Sequence, residues 1–140
     1  MELRVATCDD IDDILTLHFK YQIDSITPED KQDGFVTTAF TKEQLEELIE
    51  KEQGIFIARE KDEVLAYVMS ASWQFWEPWP IFKQMLQDLH TLNYLGQTIT
   101  PYNSYQYGPV CVDKRVRGSG LLEELFEFAR EHMAKRYAIL

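Results

Sequence analysis

Two cysteines are all the chain has, and Cys8 and Cys111 lie at opposite ends of its 140 residues. That excludes a CxxC redox or zinc motif and a disulfide framework, and makes the reducing cytoplasm the expected compartment. The histidines, at 18, 90 and 132, fall at no metal-ligand spacing, so no metal is expected. No run approaches 18 apolar residues, which excludes a membrane-spanning helix on this pattern. The opening Met1-Glu2-Leu3-Arg4-Val5-Ala6 has no basic stretch followed by an apolar one, so no signal peptide is expected. Positive charge is scarce: 14 Lys and Arg face 24 Asp and Glu, for a net charge of −10. Such a chain lacks the basic face that nucleic acid or an anionic membrane surface requires. Internal repeats and low-complexity tracts are absent as well.

What remains is the composition of a globular domain, 45% apolar and 13% aromatic. A chain of this length buries about two-thirds of its extended surface on folding, enough for a core without covalent staples. Residues 1–140 are read as one domain. Leu3 to Ala6 has the character of a short strand, and Thr7 to Asp10 supplies capping oxygens for a helix carrying Ile11, Ile14, Leu15 and His18 on one face. His18 there is read as a half-buried structural histidine. Thr41-Lys42-Glu43-Gln44 fits a capping box, with Phe40 and Leu45 at the staple positions and Gly54 as a stop signal. Asp24 to Ala39, with Pro28 and Gly34, is long for a connection and suggests a functional loop or a small extra element. Ile55–Ala58 and Val64–Ser70 read as a hairpin about a charged turn, Arg59 to Glu63. The second strand is apolar on both parities, so helices are expected on both faces of the sheet.

Residues 72–96 have the look of an inserted segment. Trp73, Phe75, Trp76 and Trp79 crowd together, Pro80 suits a first helical turn, and Phe82, Met85, Leu86 and Leu89 follow at helical spacing before Gly96. The aromatics either roof the core or line an acceptor pocket, and His90 is read as a surface residue.

The chemistry concentrates further on. Tyr105-Gln106-Tyr107-Gly108-Pro109-Val110-Cys111-Val112 reads as a strand with a fault, because Pro109 has no N–H for a ladder and Gly108 accepts unusual angles. A splayed strand leaves backbone groups for a ligand. Directly after it come Asp113-Lys114-Arg115-Val116-Arg117-Gly118-Ser119-Gly120 and then a helix with Leu122, Leu125, Phe126, Ala129 and Met133 expected on its buried face. A Gly-rich loop opening onto a helix N-terminus presents unpaired amides to an anion, and Lys114, Arg115 and Arg117 add cations. The loop is neither a P-loop, lacking GK[ST], nor a G-x-G-x-x-G fingerprint.

This constellation resembles the GNAT superfamily of N-acetyltransferases, whose signature is Q/R-x-x-G-x-G/A just past a strand. Arg115 to Gly120 satisfies it literally. Arg117-Gly118-Ser119-Gly120-Leu121-Leu122 better matches the family's spacing from the last strand valine, Val112, and is the register adopted, with Leu122 departing from the small residue expected. The resemblance covers most of the chain in element order. It implies an α/β three-layer sandwich, with a mixed, mostly antiparallel twisted sheet and helices on both faces. It implies acetyl-CoA as cosubstrate, with the backbone of Val110, Cys111 and Val112 along the pantetheine arm and the amides of Arg117, Gly118, Ser119, Gly120 and Leu121 on the pyrophosphate. The family continues through further strands, whereas this chain stops at Tyr137-Ala138-Ile139-Leu140. The fold is therefore expected to be C-terminally incomplete: either a truncated form, or one whose sheet a partner chain or a second copy completes, or a protein that binds without catalysing.

The reaction implied is attack of a primary amine, on a small molecule or peptide, at the acetyl thioester. No carboxylate lies on Tyr105 to Val112, so no catalytic residue is assigned. Tyr105, Tyr107 and Cys111 lie close to the expected cleft; Cys111 is either an acetyl-carrying nucleophile or a buried structural thiol. The alternatives are a non-catalytic CoA-binding sensor and an acidic protein-interaction module.

Overall fold

The computed structural model describes residues 1–22, 26–31 and 40–137. Alternation in the central strands dictates its architecture. The sheet contains β1 (Glu2–Val5), β2 (Ile55–Glu60), β3 (Glu63–Ala71) and β6 (Gln106–Val112), in the order β1-β2-β3-β6. Among the described residues, the three pairings within this sheet are all antiparallel. Ile55, Ile57, Tyr67 and Met69 bury on one face, and Phe56, Ala58, Ala66 and Val68 on the other. Strands that are apolar on both parities need cover on both sides, and they have it.

On the first face lie α1 (Ile11–Tyr21) and α3 (Lys42–Glu47), the latter continuing through a π-helical turn over Leu48–Glu52. Ile11, Ile14, Leu17, Leu45 and Leu48 carry the packing. On the second face lies α6 (Leu121–Met133), which buries Leu121, Leu125, Ala129 and Met133. Leu122, expected on that buried face, is 38% exposed, because Leu121, four residues before Leu125, takes the buried position and its neighbour is turned about 100° away. Phe126 is half-buried, edge-on to Tyr107.

The α3 capping box forms as expected: the Gln44 amide donates to Thr41 Oγ1 and the Thr41 amide to Gln44 Oε1. Gly54 has a different role from the one its sequence position suggests. Gln53, with φ 49°, makes the left-handed exit, and Gly54 is needed because a Cβ there would overlap the Ser70 carbonyl oxygen. The β2–β3 turn is tighter than expected. The strands reach Glu60 and Glu63, leaving Lys61 and Asp62 as the loop, with Lys61 at φ 54°.

Within 72–96, α4 (Trp73–Trp76) and α5 (Pro80–Asp88, Pro80 in its first turn) form. A 3-10 turn over Leu89–Thr91 ends the helix, so Gly96 serves instead as the turn between β4 (Asn93–Tyr94) and β5 (Gln97–Thr98). Phe75, Trp76 and Phe82 join the first core, and Trp79 packs against them. From the Asp24–Ala39 connection, the described part includes α2 (Pro28–Lys31); residues 24–25 and 32–39 lie outside the described residues, as do residues 138–140.

Candidate functional site

The fault expected in β6 is present. Val68 pairs with Val110 and Ser70 with Tyr107, so Gly108 and Pro109 together oppose Met69 in a bulge. Gly108 has φ +108°, and the bond to Pro109 is cis. Among the described residues β6 forms one edge of the sheet. The Asp113 amide donates to the Leu65 carbonyl at 2.8 Å, so Asp113 and Cys111 turn their backbone groups toward β3. By antiparallel alternation, Val110 and Val112 then turn theirs outward.

That outward edge runs into the helix mouth. Gly118 and Gly120 stand at φ +80° and +84°, the left-handed region open to glycine. They fold the loop so that Gly120 precedes α6. Among the described residues, the amides of Gly118, Gly120, Leu121 and Leu122 make no hydrogen bond. Those of Gly120, Leu121 and Leu122 are orphan donors of a helix start, at the positive end of its dipole, and Gly118 adds one from the loop before it. A cleft of about 410 Å³ is lined by Val110, Cys111 and Val112 on one side and by Arg117, Gly118, Gly120 and Leu121 on the other.

One amide of the expected set is otherwise engaged, and one residue of the set stands off the cleft wall. The Arg117 amide donates to the Lys114 carbonyl at 3.4 Å. Ser119 turns its hydroxyl to the Val116 carbonyl, 2.5 Å away, and is absent from the cleft wall. The cation cluster also divides. Arg115 does not face the cleft; its guanidinium is held by Asp113 and Glu63. Buried Asp113 is more attractive to it than solvent, and it caps the 3-10 turn over Lys114–Val116. Burial alone would raise the Asp113 pKa, but hydrogen bonds from Arg115 and Lys20 outweigh that and hold it far below the usual carboxylate range.

Arg117 is the cation at the cleft. Its Nε donates to the outward Val112 carbonyl at 2.8 Å, and its guanidinium carbon stands 4.9 Å from the centre of the Tyr21 ring, a cation–π contact. Tyr21 was not signalled by the sequence, since it reaches the cleft from α1. Its hydroxyl accepts from the Lys114 amide at 2.9 Å, tying the loop to the first layer. Glu123, also unforeseen, puts a carboxylate on the cleft wall in the first turn of α6. Leu122 faces the same cleft, so it crowds neither the helix nor the sheet.

Cys111 is 5% exposed, and burial pushes its thiol up to about 12, the nearby Arg117 charge opposing only in part. A thiol so protonated at neutral pH is a poor nucleophile, which favours the structural reading. Burial raises Tyr105 and Tyr107 as well, so both phenols keep their protons. His18 is wholly buried, more deeply than expected, with Nδ1 2.8 Å from the Tyr67 hydroxyl. His90 is exposed.

Helices on both faces of an antiparallel sheet, a bulged strand and a glycine-rich helix mouth define an α/β fold of GNAT type. No family model matches the sequence, and no curated protein matches it. Solved structures do share the fold. A possible acetyltransferase from Clostridium difficile 630 is 17% identical over 99% of this chain and 75% of its own, with TM-score 0.55. The loading GNATL domain of CurA from Lyngbya majuscula is 18% identical over 95% of this chain, with TM-score 0.55. The GphF GNAT-like decarboxylase, solved with isobutyryl-CoA, is 16% identical over 92%, also with TM-score 0.55. This chain spans 58% and 57% of the length of those last two. At these identities the likeness is one of fold. Among the described residues no helix is long and apolar enough to cross a membrane.

Proposed function

We propose that the chain binds acetyl-CoA in the β6–α6 cleft and transfers the acetyl group to a primary amine. The observation that carries this reading is continuity: the outward backbone of Val110 and Val112 leads directly to the unbonded amides of Gly118 and Gly120–Leu122. An extended amide-bearing arm can pair with the former as a strand would, and a diphosphate can accept from the latter. The acyl-CoA bound by a structure of the same fold supports a thioester as ligand.

The chemistry follows from the placement. The neutral amine attacks the thioester carbonyl, a C–N bond forms, and the C–S bond breaks. The thiolate leaves and takes a proton, and the amine loses one. The Val110 amide, outward and next to the bulge, is a donor for the carbonyl oxygen as charge gathers on it. Holding both reactants in one groove supplies much of the rest.

Calorimetry with acetyl-CoA tests the reading. Binding that Arg117→Glu abolishes supports it, and absence of heat at millimolar ligand overturns it. A CoA-binding module without transferase activity is the second reading. It is favoured by the position of Glu123, the one carboxylate on the cleft wall among the described residues, in the first turn of α6 among the diphosphate donors rather than beside the bulge. It predicts binding without product across a broad amine panel.

A further inference from the structure

A second cavity, of about 490 Å³, opens beside the N-terminal half of β6. Trp73, Met85, Leu89, Leu92, Tyr105 and Tyr107 make its walls. Three polar side chains of its lining, Trp73, Ser104 and Gln106, are spent on the protein itself. Trp73 Nε1 donates to Ser104 Oγ at 3.0 Å, Ser104 Oγ donates to the Thr100 carbonyl at 2.6 Å, and the Gln106 side chain donates through Nε2 to the Tyr107 carbonyl at 2.9 Å. What else faces the cavity is aromatic and aliphatic surface, with the Tyr105 and Tyr107 phenols as its neutral polar groups. Met85 and Leu92, 41% and 51% exposed, join Trp73, Leu89, Tyr105 and Tyr107 in one continuous apolar wall rather than standing singly on the surface. One charge stands in the wall, the exposed carboxylate of Asp88.

The cavity and the coenzyme cleft share a strand. Tyr105 to Tyr107 line the first, Val110 to Val112 the second, and the Gly108–Pro109 bulge separates them. Three residues of strand span roughly 10 Å, the length of a short organic molecule. Resting on the coenzyme reading above, we propose that this cavity holds the apolar body of the acceptor, a primary amine carrying an aryl or alkyl group. Its reactive nitrogen then points along β6 toward the bulge. Asp88 decides between this amine and the other apolar group that could enter, an acyl chain on the coenzyme. An amine arrives from water as an ammonium ion and is drawn by a carboxylate, with aromatic faces adding cation–π attraction. A neutral acyl chain on the coenzyme gains nothing from that charge.

The test compares 2-phenylethylamine with ethanolamine, both by calorimetry and as acceptors of acetyl-CoA, in the intact chain and in Leu92→Arg and Asp88→Asn. Both substituted residues are exposed, so the fold, checked by melting temperature, is retained. The expected result is a preference for the aryl amine of roughly tenfold or more in Kd and kcat/KM, the scale set by a few buried methylenes. Leu92→Arg erases the preference and Asp88→Asn weakens binding of both amines, while acetyl-CoA affinity stays unchanged. Equal binding of the two amines, or a preference that survives Leu92→Arg, overturns the proposal. So does tighter binding of hexanoyl-CoA than acetyl-CoA that Leu92→Arg abolishes, since the cavity would then hold the acyl chain. If the amine preference and its loss are seen while acetyl-CoA does not bind, the coenzyme reading falls and the cavity stands as an amine site.

Discussion

Lys20 Nζ lies 2.9 Å from Oδ2 of Asp113, joining the first helix to a residue 93 positions later. The same carboxylate accepts from the backbone and side chain of Arg115. One buried acid thus fixes where β6 ends and where the glycine-rich loop begins.

The Asp113 network predicts acid sensitivity. A carboxylate held below its ordinary value stabilises the fold fully above the unfolded pKa of about 3.9, and that stability is lost as pH falls below it. Asp10 adds to the same trend: burial raises its pKa, but Arg4 and Arg59 more than offset this. The melting temperature is expected to drop steeply below about pH 4. Asp113→Asn is expected to cost about 1–3 kcal/mol at neutral pH, discounted for the exposure of its cationic partners, and to flatten the acid limb. An unaltered acid limb would remove Asp113 from this role.

Gly54→Ala forces a methyl into the Ser70 carbonyl, which is backbone of the central strand and cannot swing away. Chemical denaturation is expected to show a loss of about 3 kcal/mol. Gly118→Ala meets nothing within 4 Å and bears only the cost of a positive φ, about 1 kcal/mol. Equal losses at the two sites would contradict the close approach.

Glu123 and Arg117 face the cleft with opposite charge. Glu123→Gln is expected to tighten coenzyme binding by about two- to fivefold, and Arg117→Ala to weaken it with a shallower dependence on salt. Titrations at two ionic strengths check both. Tighter binding in neither salt condition for Glu123→Gln would show that the diphosphate lies elsewhere.

The two thiols should separate by alkylation. Cys8 is exposed, and Cys111 is buried with its thiol pushed up to about 12. At neutral pH iodoacetamide is expected to modify Cys8 alone, by mass spectrometry of the native chain. Cys111→Ala is expected to keep acetyl transfer within a few-fold; complete loss in a folded variant would restore the nucleophile reading.

The amino-acid pattern alone determined much of the local structure. Two apolar parities in Val64–Met69 required two helical layers, Thr41 and Gln44 started a helix, and Gly108-Pro109 broke a strand, because each depends on backbone geometry and side-chain chemistry within a few residues. Gly118 and Gly120 likewise marked the loop that meets α6. Tertiary structure decided what distant segments do to one another. It turned Arg115 away from the cleft toward Asp113 and Glu63, brought Tyr21 beneath Arg117, and gave Gly54 its close neighbour on β3. It also folded residues 73–107 around a second cavity. Those outcomes rest on which charge or ring lies nearest in space, and spacing along the chain carries no record of that.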